Sequence, residues 1–336
     1  MDTEIMQKSR PKTFHLCAGT LALTMIGTTG DTLAQSYPAK GIRMIVGFTT
    51  GGGTDTAARL LVQKLTLPEY LGQPVVIENR VGASGAIASE MVAKSPPDGY
   101  TLLMLASADT IQPALRVKLP YDVERDFAPI SLVGITPFAL VVHPSVPART
   151  VKELIALARS RPGELSYGSS GVGSPTHLMT ELFNSMAQVK ITQVPYKGSS
   201  QLIMAVASGE IPLSFASTPG AKSLLAAGKL RALAISTAKR SALMPDLPTL
   251  NESGLPGYDI SGSWFGLVAP AGTSRNIISQ LSAMTGKILN TPEMKASLNA
   301  QGIEPQPNTP EQFAAFIHAD LVLNTKLIRS IGIKAE

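Results

Sequence analysis

Three consecutive glycines, Gly51, Gly52 and Gly53, follow a short apolar run and precede Thr54-Asp55, where a helical apolar pattern begins. Strand, glycine turn and helix N-terminus in that order aim backbone N–H groups at an anion. The first turn of a helix carries unsatisfied donors and about half a positive charge. Glycine matters there because a β-carbon would keep the anion away from the backbone. The same grammar recurs in Asn79-Arg-Val-Gly-Ala-Ser-Gly85, Ser169-Ser-Gly-Val-Gly-Ser-Pro-Thr-His177, Tyr196-Lys-Gly-Ser-Ser200 and Ala216-Ser-Thr-Pro219. Any one of these loops also reads as an ordinary capped turn. Their recurrence points to one carboxylate held by two facing loops without an arginine. Asp55 is unsuited to touching an anion and is assigned to capping its own helix, which fixes the loop. Ser107, past the third apolar run, offers a hydroxyl, and Lys197 a charge at the rim.

Catalytic patterns are missing from these loops. Gly-x-Ser-x-Gly fails because Gly168-Ser-Ser-Gly-Val172 ends on valine. No Gly-Lys-Ser/Thr follows the triple glycine, and Gly51-Gly-Gly-Thr does not fit the dinucleotide fingerprint. His143, His177 and His318 lie far apart without metal-ligand spacing, so no cofactor or metal is expected. His177, one turn into a helix, reads as a capping or supporting histidine more readily than as a ligand contact.

The elements that must position the loops alternate between short apolar runs and helix-length amphipathic segments, an α/β signature. Strands are expected at 42–48, 75–78, 101–106, 165–167, 191–194, 211–215, 230–235 and 264–268. Helices are expected to start near Asp55, Ser84, Thr150, Ser174, Ser199, Pro219, Thr273, Pro292 and Thr309, many with a Ser, Thr or Asp cap and some with Pro next. In an open sheet such loops gather at the carboxyl ends of the strands, where ligands bind. Two apolar runs ending at proline, 135–144 and 263–270, read as passages between domains. If they lie side by side, domain 1 comprises 37–139 plus 258–336, domain 2 comprises 140–257, and a cleft forms between them. Two ordinary core strands would read the same way.

Residues 1–34 have the form of a secretory signal: Lys8, Arg10 and Lys12, an apolar stretch too short to span a bilayer, and a small-residue site ending at Ala34. Cleavage there removes Cys17, the single cysteine, so neither disulfides nor thiol chemistry operate in the mature chain. An exported chain without disulfides suits the periplasm. Roughly 300 residues exceed what one core usually supports, so two domains are the default. The net charge of +5 is spread along the chain, and basic runs interleaved with aromatics, the usual footprint of nucleic-acid binding, are missing.

Several motifs stand in order: Tyr37-Pro-Ala-Lys40, Gly51-Gly-Gly-Thr-Asp55, Val76-Ile-Glu-Asn-Arg80, Pro97-Asp-Gly-Tyr-Thr-Leu102, Leu119-Pro-Tyr-Asp122, Asp126-Phe-Ala-Pro129, Val142-His-Pro144, Gly173-Ser-Pro-Thr-His177, Val194-Pro-Tyr-Lys-Gly198, Gly228-Lys-Leu-Arg-Ala-Leu233 and Pro256-Gly-Tyr258. Together they resemble the Bug family, the substrate-binding proteins of tripartite tricarboxylate transporters, from Tyr37 nearly to the C-terminus. The resemblance implies a two-lobed, type II periplasmic-binding-protein-like α/β fold that closes on a small organic carboxylate, with no catalysis. It implies a monomer that serves one large and one small membrane permease subunit; a sensor kinase is the alternative partner. It places the carboxylate grip, partly through water, in residues 48–55 and 170–177. The corresponding contacts are Phe48, Thr49, Thr50, Gly51, Gly52, Asp55, Ser170, Gly171, Gly173, Ser174 and His177, joined by Ser107 and Ala216.

Three departures from the family pattern bear on specificity. Thr49-Thr50 stand where the family usually has prolines, so two hydroxyls replace rigid rings. Gly82-Ala-Ser-Gly-Ala86 replaces a common Gly-Ala-Gly-Gly-Asn. Ala216 replaces a common aspartate, which removes a partner for an ammonium or hydroxyl. The expectation is that amino acids are disfavoured and a more apolar or aromatic carboxylate preferred.

Overall fold

A computed structural model describes residues 37–115, 118–196, 198–330 and 332. The leader at 1–34 and Lys197 lie outside the described residues. The first half of the chain runs β1 (Ile42–Val46), α1 (Gly53–Leu65), β2 (Val75–Asn79), α2 (Ala86–Ala93), β3 (Thr101–Ala106), α3 (Ala108–Leu115) and β4 (Phe127–Thr136). A second sheet follows in β5 (Phe138–Val142), α4 (Val151–Ser160), β6 (Ser166–Ser169), α5 (Pro175–Ala187), β7 (Thr192–Pro195), α6 (Ser199–Ser208), β8 (Leu213–Ser217), α7 (Thr218–Ala226) and β9 (Arg231–Ile235). The chain then returns through β10 (Ser263–Pro270), α8 (Arg275–Leu289), α9 (Pro292–Ala300), β11 (Glu304–Pro305) and α10 (Pro310–Ser330).

The two sheets share one plan. In the first, the order is β11-β4-β10-β3-β1-β2, with β1 parallel to both β2 and β3, and β10 antiparallel to β3. In the second, the order is β7-β6-β8-β5-β9, with β6 parallel to both β7 and β8, and β5 antiparallel to β8. From β1 the chain goes out to β2 on one side and crosses to β3 on the other; from β6 it does the same to β7 and β8. Each sheet therefore has a point where the winding reverses, and the loops after β1, β3, β6 and β8 open there. Burial on both faces explains why β1 and β3 read as continuous apolar runs instead of alternating ones: Met44, Ile45, Val46, Leu102 and Leu105 are all fully covered.

The passages between the sheets lie slightly off the expected boundaries. The run at 135–144 is two strands broken at Pro137, so the first crossing falls before Phe138 and the boundary at 139/140 would cut β5. On the way back, Tyr258 still belongs to the second lobe: it is fully buried, stacks on Phe215 at 6.3 Å, and donates its hydroxyl to the Met179 carbonyl. The return comes after Ile260, whose N–H still donates to the Ser236 carbonyl. The lobes are further joined by α10, whose Leu327 and Ile328 pack with Ile111 of α3 and Leu178 of α5.

Candidate functional site

Five helices begin at one cavity of about 510 Å³ between the lobes. Its wall takes Gly53 and Thr54 from the start of α1, Ala108 from α3, Pro175 from α5, Ser199 from α6, and Ser217 and Pro219 from α7. Phe48, Gly51, Ser107, Phe138 and Phe265 complete much of the rest, and no Asp, Glu, Lys or Arg is among the described lining residues. Partial positive charge from helix ends is thus the electrostatic feature an occupant meets.

Capping sharpens that picture. Four helices whose N-termini lie away from the cavity are closed by side chains; α2, behind Gly85, is not. Thr150, Ser274 and Thr291 accept from the first turns of α4, α8 and α9, and Thr309 with Gln312 forms a reciprocal box on α10. At α1, α6 and α7 the N-caps are Gly52, Gly198 and Ser217, and no side chain caps any of them. At α1 and α6 this leaves first-turn N–H groups for an occupant, whereas at α7 Thr218 N–H already donates to the Pro137 carbonyl and Pro219 has no N–H. A Cβ on Gly53 would sit 2.8 Å from Phe265 Cζ, so glycine is what lets this backbone lie against the cavity wall.

The loop leading to α1 is held from below. Asp55 Oδ2 accepts from Gly51 N–H at 2.9 Å and Arg59 Nε at 2.8 Å, while Oδ1 accepts from Arg59 at 3.0 Å and Asn79 Nδ2 at 2.9 Å. Asn79 also donates to the Phe48 carbonyl. Asp55 is 1% exposed and outside the cavity lining. It binds Gly51, in front of the helix, so it ties the loop down while leaving the first helical donors open. Burial pushes its carboxyl up, but the bonds from Arg59, Gly51 and Asn79 outweigh this and hold it below the usual range. Asp109, in the first turn of α3, also turns away: it accepts from Ala106 N–H, Ser89 and Tyr121, and burial pushes its carboxyl up.

The glycine loop after β6 is placed differently. Ser170 N–H donates to Thr176 Oγ1, Ser174 Oγ donates to the Gly171 carbonyl, and Gly173 N–H donates to His177 Nδ1 at 3.0 Å. That last bond makes Nδ1 the acceptor and puts the ring proton on Nε2. His177 is 5% exposed, stacks near Tyr167, and is pushed by burial towards the neutral form. Its ring borders a separate groove with Val172, Glu181 and Gln193, and Gly173 packs on Leu115 of α3. From this loop it is Pro175 that reaches the cavity.

Of the residues singled out in the sequence, Phe48, Gly51 and Ser107 line the cavity. Thr49, Thr50 and Gly52 adjoin it in the same loop, the two threonines exposed. Ala216 lines a smaller side pocket next to it. Ser170, Gly171, Gly173, Ser174, His177 and Asp55 are not in its wall; they shape the loops behind it. The sequence reading missed Thr136, Phe138, Ser263, Phe265, Gln301 and Ile303. The two phenylalanines sit in the runs that pass between lobes, which was the one available signal; nothing in the spacing marks Gln301 or Ile303. Among the described residues no cluster of three or more His, Cys, Asp or Glu could hold a metal, and no helix is long and apolar enough to cross a membrane.

Known proteins match this arrangement across nearly the whole chain. The model of the tripartite tricarboxylate transporter family receptor matches residues 58–333. Protein BugT of Bordetella pertussis is 37% identical over 312 residues, covering 92% of this chain and 95% of its own. Among solved structures, Rpa4515 of R. palustris with adipate superposes with a TM-score of 0.73 at 38% identity, covering 89% of this chain and 100% of that one. MatC from Rhodopseudomonas palustris with bound malate gives 0.68 at 30% identity, covering 87% and 100%. With its two like-wound lobes and a cavity walled by helix ends, the chain belongs to the tripartite tricarboxylate transporter receptor family.

Proposed function

We propose that this chain captures a small organic carboxylate between its lobes in the periplasm and delivers it, without chemical change, to the membrane subunits of a tripartite tricarboxylate-type transporter. One observation carries the reading: the N-termini of α1 in one lobe and α6 in the other, neither capped by a side chain, open on a cavity whose described lining has no ionisable side chain. Such a site favours an anion and gives a cation no counter-charge. The carboxylates bound by its structural relatives agree with it. Donors supplied by different lobes bind fully when the lobes are together, so ligand favours the closed arrangement that a membrane partner would recognise.

Calorimetry and thermal shift against a panel of carboxylates test the proposal. A ligand at 100 times its dissociation constant stabilises the protein by about 2.7 kcal/mol. Replacing Gly53 with valine drives a side chain into Phe265 and displaces the α1 donors. Affinity for the best carboxylate of the panel should fall at least about tenfold. Unchanged affinity in that variant would refute the backbone grip.

A further inference from the structure

The cavity does not end at the helix termini. Phe138, Ser199 and Ser217 line it and also line a second pocket of about 180 Å³ that runs into the second lobe between α6 and the sheet. Past that shared mouth the walls are Val141, Leu202, Ile203, Val206, Phe215 and Ala216. Two of the hydroxyls that reach it are already engaged; those of Ser199, Ser200 and Ser217 also belong to its lining. Ser214 Oγ donates to the Gly168 and Phe215 carbonyls, and Thr176 Oγ1 accepts from Ser170 N–H. No Asp, Glu, Lys or Arg is among its described lining residues. A carboxylate or ammonium pushed inside would lose water and gain no charged partner from the described lining. An apolar cavity of about 150 Å³ suffices for a benzene ring, so this one has room for an aryl group or a short branched alkyl chain.

Resting on the carboxylate-receptor reading above, we infer that the ligand is a monocarboxylate with an apolar end, its carboxylate at the uncapped helix termini and its ring or alkyl chain in the pocket under α6. The small side chain of Ala216 keeps that pocket open, and Ile203, half-buried on α6, bounds its other side. The predicted order of affinity therefore differs from that of a dicarboxylate receptor. A second charged end finds no charged group in the described lining of this pocket, whereas an apolar end finds a largely apolar wall.

Calorimetry with 3-phenylpropanoate, hexanoate, adipate, malate and glutamate on the folded chain tests the assignment. The phenyl acid should bind at least tenfold tighter than adipate, malate or glutamate. Ala216→Leu fills the pocket and should cut the preference for 3-phenylpropanoate over malate at least tenfold. Ile203→Ala widens it and should move the preference towards larger aryl acids such as 2-naphthylacetate, an independent check should the leucine variant fold poorly by circular dichroism. Adipate or malate bound tighter than the phenyl acid, or preferences unmoved in both variants, overturns this inference and leaves the receptor reading standing. No binding of any carboxylate overturns both.

Discussion

Asp55→Asn isolates the device that holds the glycine loop in place. The wild-type carboxylate takes four hydrogen bonds, two from Arg59 and one each from Gly51 and Asn79. An asparagine turned with its carbonyl inward keeps one or two of these and presents an N–H₂ to the remaining donors. Bonds to a buried charge are worth roughly 1.5–3 kcal/mol each, but Arg59 is 48% exposed and returns to water when released, so its share is heavily discounted. The expected loss is about 2 kcal/mol of unfolding free energy, read by urea denaturation. The pH dependence supplies a second signature. The folded-state pKa of Asp55 is held below its unfolded value, so the stabilisation is complete above roughly pH 4 and is lost as pH falls through the folded value. The gap between wild type and variant should be flat from about pH 7 to 5 and shrink below about 4. A gap under about 0.5 kcal/mol at pH 7, or one undiminished at pH 3, would refute the reasoning.

Two further predictions rest on equally local geometry. Gly302, at φ +71° between α9 and β11, meets Pro219 of α7 at the cavity rim, where a Cβ would lie 2.0 Å from the proline ring. Gly302→Val should hold the lobes apart and weaken carboxylate binding at least about tenfold by calorimetry, with an affinity equal to wild type counting against this contact. His177 is neutral and buried with its pKa lowered, so stability is present above roughly pH 6.5 and declines as pH falls towards the folded value. His177→Asn, whose carbonyl can still accept from Gly173, should flatten thermal stability between about pH 6.5 and 5 relative to wild type; parallel profiles would show that another group titrates there.

Legibility in the sequence followed how local the cause was. Helix starts marked by Ser or Thr with a following proline were readable at α5 and α9 because the cap and the φ constraint act within one turn, and at α7 through Pro219 alone, since neither Ser217 nor Thr218 caps it. α3 escaped notice because it is short and carries Pro113 inside, which reads as a break. The break at Pro137 was hidden in a continuous apolar run, since burial on both faces erases the alternation that would separate β4 from β5. In the site, the loop after β1 was visible from its glycines. The glycines after β6 gave the same signal for another reason: Gly173 has φ +72° and packs on Leu115. Gln301, Ile303 and the pocket beside Ala216 were invisible, because only the packing of distant segments creates them.

Glycine alone is therefore a poor marker of an anion site, and the more telling sign is a cap missing from a helix end that opens on a cavity. A helix end in water needs no particular cap, but one facing a cavity leaves costly orphan donors unless a side chain or a ligand meets them. This chain spends Ser or Thr caps on α4, α8, α9 and α10, and places glycine before α1, α2 and α6. Ser174 marks the exception that fits the rule: it does cap α5, through His177 N–H, and the loop before it is closed by its own bonds. The ends without a side-chain cap at α1 in one lobe and at α6 and α7 in the other share the cavity, whereas the similarly uncapped α2 does not reach it. Donors split in this way give the lobes a reason to come together around an anion. The apolar pocket beyond α6 then decides which anion fits.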